Sequence, residues 1–266
     1  MNLDALFPTI IGLEYYVLAS AFALSRLIGL MAVMPLFSRM RLTGVVRNGV
    51  AFALAIPIIP MIAATLAQME AATPLLVVLM VKEVLVGATL GFVLGIPFWA
   101  AEAAGDIVDL QRGSTMGTLI DPMMTYETSI TGTFLGIVML IIFLSAGGLE
   151  LMLTLLYDSY GLWPIDQLAP VFGDQAVEAL LQLLTRILTM ALTLAFPLVM
   201  GLFLSDVVLA LLARAAPHLN IFALSLIVKT LVFSLILVLY SSFLIHYMRG
   251  DLAFLRDASR YLELIR

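Results

Sequence analysis

The chain has 266 residues, of which 63% are hydrophobic and 12% charged, with a net charge of −5 and a mean hydropathy of +1.13. Soluble domains carry about 25% charged residues, so the composition excludes an ordinary soluble domain and points to an all-α membrane protein built from apolar stretches of about 20 residues. The absence of cysteine excludes disulfides, thiolate metal sites and cysteine nucleophiles, and the acidic balance argues against a nucleic-acid partner.

Taken in chain order, the first basic residue is Arg26, after Asp4 and Glu14. The start lacks the basic region of a cleavable leader, so the N-terminus is expected to be retained and, being acidic, to face the non-cytoplasmic side. Apolar blocks follow at 9–37, 45–67, 75–100, 131–157, 177–213 and 219–248, each near or above the length of a spanning helix. The fifth is long enough for a bent helix or a hairpin. Pro57, Pro60, Pro97 and Pro197 lie inside or at the ends of these blocks, where each removes a backbone donor and tends to kink or stop a helix. The reading is one polytopic membrane domain over 1–248 and a tail over 249–266. The tail has the pattern of a short amphipathic helix, for a membrane surface or a partner, or else simply solvated.

The connections carry uneven charge. "SRMRLTGVVRN" holds Arg39, Arg41 and Arg47 without an acid, the mark of a cytoplasmic loop, whereas Asp158, Asp166 and Asp174 fall together without a base. Simple alternation of six spans reconciles these two. It then puts the acidic stretch from Glu102 to Glu127 in the cytoplasm and the basic tail, with Arg249, Arg256, Arg260 and Arg266, outside, both against the charge rule. Some block must therefore not span in the ordinary way.

Within the blocks, Glu83, Gly87, Gly91 and Gly95 recur at every fourth position and form one ridge of a helix, onto which a neighbouring backbone can close. Gly132 with Gly136, and Gly201 with Ser205, repeat the pattern. Ionisable residues at Arg26, Lys82, Glu83, Glu150, Arg186, Asp206 and Lys229 each cost about 2.5–3.5 kcal/mol in a span unless paired, snorkelling or wet. They read either as an ion relay or as pairs between helices or subunits. Pairing is the simpler reading, since no span concentrates the acids.

The connection "RGSTMGTLIDPMM", 112–124, is too polar for a span and too apolar for a solvated loop. "GSTMG" places Ser114 second rather than in the middle of an elbow, His218 and His246 lack metal-ligand spacing, and no phosphate-binding loop occurs. Neither enzyme activity nor a cofactor or metal is expected.

The segment "FLSDVVLALLARAAPHLNIFALSLIVK", 203–229, reads as a helix with Asp206 and Arg214, a stop at Ala216 before Pro217, and a restart that Asn220 is placed to cap. It resembles the signature Arg-x-x-Pro-Gln-x-Asn-x-Phe of the FliR/SctT family, the export-gate subunit of type III secretion systems. Arg214, Pro217, Asn220 and Phe222 match it. His218 stands in place of Gln, and Ile227 where a proline is often found. The resemblance extends to "SRLIGLMAVMPLFS", "EAAGDIVDLQRGSTMGTLIDP" and "GGLELMLTLLYDSYGLWPI". "YDSYGLWPI" and Lys229 look nearer to the injectisome branch than to the flagellar one.

This resemblance implies a non-enzymatic subunit of the bacterial inner membrane, with a periplasmic N-terminus. It implies partners as well: several copies of two smaller pore-forming subunits, the switch protein and the large export-gate protein. Unfolded secreted protein would be the cargo, with membrane lipid around the assembly. It also implies a plug in the pore, matched here by 105–124 with Gly105, Asp109, Gln111, Gly113, Met116, Gly117, Asp121 and Pro122. In that role Gly105, Gly113 and Gly117 would supply backbone freedom. Met116, Met123 and Met124 would seal against an apolar wall, and Asp121-Pro122 would fix a turn. The plain alternative is a packed connection between helices. The rival function is a secondary transporter or ion-channel subunit, though no duplicated half is visible in the sequence.

Overall fold

The computed structural model describes residues 3–40, 43–69, 73–114, 129–168, 176–216, 218 and 220–265. Among them the regular elements are all helical. In order they are α1 (Leu3–Val33), α2 (Pro35–Arg39), α3 (Gly44–Ala55), α4 (Ile59–Leu66), α5 (Thr73–Arg112), α6 (Ile130–Ser145), α7 (Gly148–Leu162), α8 (Ala176–Ala215), α9 (Ile221–Ala253) and, after a 3-10 turn at Phe254–Asp257, α10 (Ala258–Ile265).

Each of the six apolar blocks corresponds to a helix or a bent helix pair. Leu13–Val33, Thr73–Arg112, Ala176–Ala215 and Ile221–Ala253 are each long and apolar enough to cross a membrane; α3 with α4 and α6 with α7 are bent by 69° and 74°. The first bend falls at Pro57, which has no N–H to give. There Ile58 N donates to Ala55 O at 3.0 Å, and the Leu54 carbonyl freed by that shift accepts from the Tyr157 hydroxyl at 3.1 Å. The second bend lies within 131–157, where the sequence reading places no break. Gly147 takes φ 79°, the left-handed conformation that ends a helix and suits glycine, and Gly148 packs against the Phe143 ring. The signal was the Gly147-Gly148 pair.

Prolines act unequally. Pro97 and Pro197 lie inside α5 and α8, each a continuous helix of 40 residues, about 60 Å long against a hydrocarbon thickness of about 30 Å. The fifth block is therefore one long helix, neither broken nor a hairpin. Around Pro97 the chain is buried, with Ile96 and Phe98 fully enclosed, and packing on both sides of the lost hydrogen bond holds the helix together.

The chain divides into two compact units, the first comprising Met1–Gly95, Leu149–Gln182 and Leu255–Arg266, the second Ile96–Gly148 and Leu183–Phe254. In the first, α1 packs against α2, α3 and α4, and its backbone lies directly on α5. A side chain at Gly29 would strike the Val84 carbonyl, one at Gly87 the Arg26 carbonyl, and one at Gly91 would come within 2.6 Å of Leu30 O. The ridge read from Gly87 and Gly91 thus faces α1, with Gly29 as its counterpart, and Gly95 is buried on the same helix. Leu255, Ala258 and Leu262 are buried and belong to this unit, so that side of the tail packs within the chain. The expected tail boundary at 249 falls inside α9.

In the second unit α6 packs on α9, the Phe98 and Phe143 rings meet edge to face at 5.3 Å, and Gly201 gives way to the Ile236 side chain. Gly105 lies against the backbone of Gly132, a contact only a glycine permits. Gly105 is thus a packing residue on a helix. The backbone freedom expected of it is absent.

Gly87→Ala should lower the melting temperature of the purified chain by several degrees, because backbone must move to admit the methyl group. Gly49→Ala, where nothing lies within 4 Å, should leave it unchanged or raise it by a few degrees through helix propensity of about 1 kcal/mol. Equal responses in a thermal melt would refute the α1–α5 contact.

Candidate functional site

Among the described residues, three polar clusters interrupt the apolar interior. The first, in unit one, joins α1, α5 and the turn after α7. Arg26 is fully buried; its Nε donates to Glu83 Oε2 at 2.6 Å, Nη1 to Ser159 Oγ at 2.8 Å and Nη2 to Trp163 O at 2.9 Å. The Tyr160 ring lies under its guanidinium at 3.7 Å. Lys82 Nζ pairs with Glu83 Oε1 at 2.9 Å and donates to the carbonyl of Pro164 at 2.6 Å. Glu83, read from sequence as part of a packing ridge, is the shared counter-ion of two buried cations.

The second cluster closes the two ends of the connection between α5 and α6. Asp109, 1% exposed, accepts from Ser129 Oγ at 2.7 Å and Thr131 N at 3.0 Å through Oδ2. Through Oδ1 it accepts from Thr131 Oγ1 at 2.6 Å and pairs with Arg112 at 2.8 Å. Ser129 Oγ in turn accepts from Gly132 N at 2.8 Å and caps α6. On the other side α5 ends at Gly113, whose N–H still reaches Asp109 O and Leu110 O, both at 3.1 Å, and whose φ of 81° is the left-handed conformation that ends a helix. One carboxylate therefore ties the last turn of α5 to the first turn of α6.

The third cluster ties that same helix end to α8 and α9. Lys229 Nζ pairs with Asp206 Oδ1 at 2.7 Å and donates to Gln111 O at 3.0 Å, while Gln111 Nε2 donates to Asp206 Oδ2 at 3.1 Å. Arg112 stacks over Phe233 at 4.8 Å. The elbow itself turns outward. Asn220 Oδ1 accepts from Ala223 N at 3.2 Å and caps α9, and Arg214, His218, Asn220 and Phe222 are exposed.

The structure thus brings Gln111 together with Asp206 and Lys229, which the sequence reading assigned to different motifs. It leaves Arg214, His218 and Phe222 without a share in that contact. Gly105, Asp109 and Gln111 lie on α5. Met116, Gly117, Asp121, Pro122, Met123 and Met124 fall outside the described residues, as does Pro217. Sequence reasoning missed Ser129, Thr131, Ser159 and the turn 163–167. Only Ser129 carried a readable signal, as a capping residue just before an apolar run. The other charges within the blocks also find surroundings: Arg186 stacks on Phe254 at 4.7 Å, and Glu150 stands in the first turn of α7, where an acid is favoured by the helix dipole.

The profile of a family described as bacterial export proteins, family 1, matches residues 17–254. The chain belongs to this family. Among curated proteins it is similar to Yop proteins translocation protein T of Yersinia pestis, 38% identical over 219 residues, covering 82% of this chain and 83% of that one. It is also similar to the secretion system apparatus protein SsaT of Salmonella typhimurium, 30% identical over 234 residues, 87% and 90% of the two chains. The flagellar biosynthetic protein FliR of Bacillus subtilis is 29% identical over 182 residues, 68% and 70% of the two. In this export protein the matched region takes in all three polar clusters.

Exchanging the charges tests the third cluster. Asp206→Lys and Lys229→Asp should each lower the melting temperature, and the double exchange should recover part of the loss, with a coupling of about 1 kcal/mol for a partly exposed pair. Additive losses in the double-mutant cycle would show that the pair contributes nothing.

Proposed function

We propose that this chain is a non-enzymatic subunit of the type III secretion export apparatus, helping to form and gate an inner-membrane conduit for unfolded secreted proteins. Support comes from the family and from the names of its relatives, a translocation protein, a secretion apparatus protein and a flagellar biosynthetic protein. Two smaller pore-forming subunits, the switch protein and the large export-gate protein are the partners this reading requires. The exposed apolar side chains along α8 and α9, among them Leu188, Phe196, Leu235 and Phe243, offer surface for neighbouring subunits and lipid.

The observation that carries the gating reading is the Asp109 tie. It joins the end of α5 to Ser129 and Thr131 at the start of α6, which supports placing the plug between Gly113 and Ser129 instead of over 105–124. Displacement of that segment opens the conduit without covalent chemistry. The transporter alternative drew on lone charges within apolar blocks. Those at Arg26, Lys82, Glu83, Asp206 and Lys229 are engaged with one another, which leaves them poorly suited to an ion relay.

The bent helix pairs support a four-span topology. With the two bent pairs entering and leaving on one side, four spans remain. The connection after α5 then lies on the same side as Asp158 and Asp166, and opposite Arg39 and Arg47. This arrangement satisfies the charge rule for the acidic connection, which six alternating spans violate. The periplasmic N-terminus is kept.

Replacing 115–128 by a Gly-Ser linker of equal length should leave assembly intact while making cells permeable to small ions and metabolites. An assembled complex with unchanged permeability would remove the plug assignment. Because the chain lacks cysteine, Ser114→Cys and Asp166→Cys report topology cleanly. A membrane-impermeant maleimide should label both from the same side, whereas labelling from opposite sides would make α6 and α7 a true span.

A further inference from the structure

Lys82 lies among more oxygens than it has protons to give. Its Nζ is 2.6 Å from Pro164 O, 3.1 Å from Gln167 O, 3.3 Å from Ile165 O and 2.9 Å from Glu83 Oε1. An ammonium carries three N–H donors, so these four oxygens surround it as they would surround a metal ion, by charge as well as by directed hydrogen bonds. The three carbonyls belong to one short non-helical turn that converges on a single centre. Backbone carbonyls converge in this way where they replace the hydration shell of a monovalent cation in a channel filter.

The arrangement is specific to this nitrogen. Arg26, the neighbouring cation, takes the other Glu83 oxygen, the Trp163 carbonyl and Ser159, and no hydrogen bond joins it to the three carbonyls around Lys82. Lys82 is 5% exposed and Glu83 fully buried. Asp166 and Gln167 on the same turn are exposed, so one wall of the cage borders the surface.

We propose that the Pro164–Gln167 turn, together with Glu83, is a monovalent-cation site whose resident ion is the tethered ammonium of Lys82. Lys82 is then a positioning residue that holds the turn after α7 onto α5. A tethered ion pays no cost of association and is not lost when the ionic composition changes. Deprived of the ammonium, the cage keeps its oxygens and takes up potassium or free ammonium instead. This goes beyond the export role and does not rest on it.

The test uses the full chain in detergent micelles. Lys82→Ala empties the cage, and Lys82→Met fills its volume without charge. Thermal unfolding is followed in potassium, ammonium and choline chloride at equal ionic strength. In choline both variants should melt about 10 °C below the parent chain, as expected for a buried carboxylate and carbonyls left uncompensated. Potassium or ammonium should recover at least half of that shift in Lys82→Ala and none in Lys82→Met, while the parent chain is insensitive to the cation. Should Lys82→Ala not fold in choline, the folded yield in potassium against choline gives the same readout. Equal behaviour of Lys82→Ala in all three salts would overturn the proposal. So would a Lys82→Met chain as stable as the parent, because Lys82 would then only fill space.

Discussion

A guanidinium fully withdrawn from solvent sets the terms for the first unit. Arg26 cannot remain charged in an apolar interior unless carboxylate, hydroxyl and carbonyl groups meet it there, and those groups come from places far apart in the chain: Glu83 on α5, Ser159 on α7 and Trp163 beyond it. Satisfying one side chain thus fixes three segments together. The backbone contact of Gly29, Gly87 and Gly91 brings α1 and α5 close enough for the guanidinium to reach Glu83. Small residues and charge act jointly, glycines setting the distance and the ion pair setting the register.

The second unit obeys the same constraint with different chemistry. Asp109 is as secluded as Glu83, but its oxygens are met mainly by the hydroxyls and N–H of Ser129 and Thr131, with Arg112 as the cation among the described residues. A carboxylate satisfied largely by a helix start is a means of joining two chain ends. Gln111, two residues on, gives its carbonyl to Lys229 and its amide to Asp206. The end of α5 is consequently held from two directions.

Much of the fold was legible because its determinants are local. Apolar length specified the helices, Pro57 the first bend, and Asn220 the cap that starts α9. Pro97 and Pro197 carried the same local signal and had no such effect, since a proline inside a long, packed helix costs one hydrogen bond that tertiary contacts offset. Gly105 makes the opposite point: glycine reads as freedom in a sequence, yet against the backbone of Gly132 its lack of a side chain serves close packing.

The sequence by itself determined the class, the positions of the apolar helices, the exclusion of cysteine chemistry and, through its signature, the family resemblance. These depend on composition and on spacing within one segment. Which charges meet was decided only by tertiary structure, because Arg26 with Glu83, and Asp206 with Gln111 and Lys229, are separated by tens of residues or more and pair only after the helices have packed. The same holds for Lys82, whose four oxygens converge only once the turn after α7 has folded back onto α5.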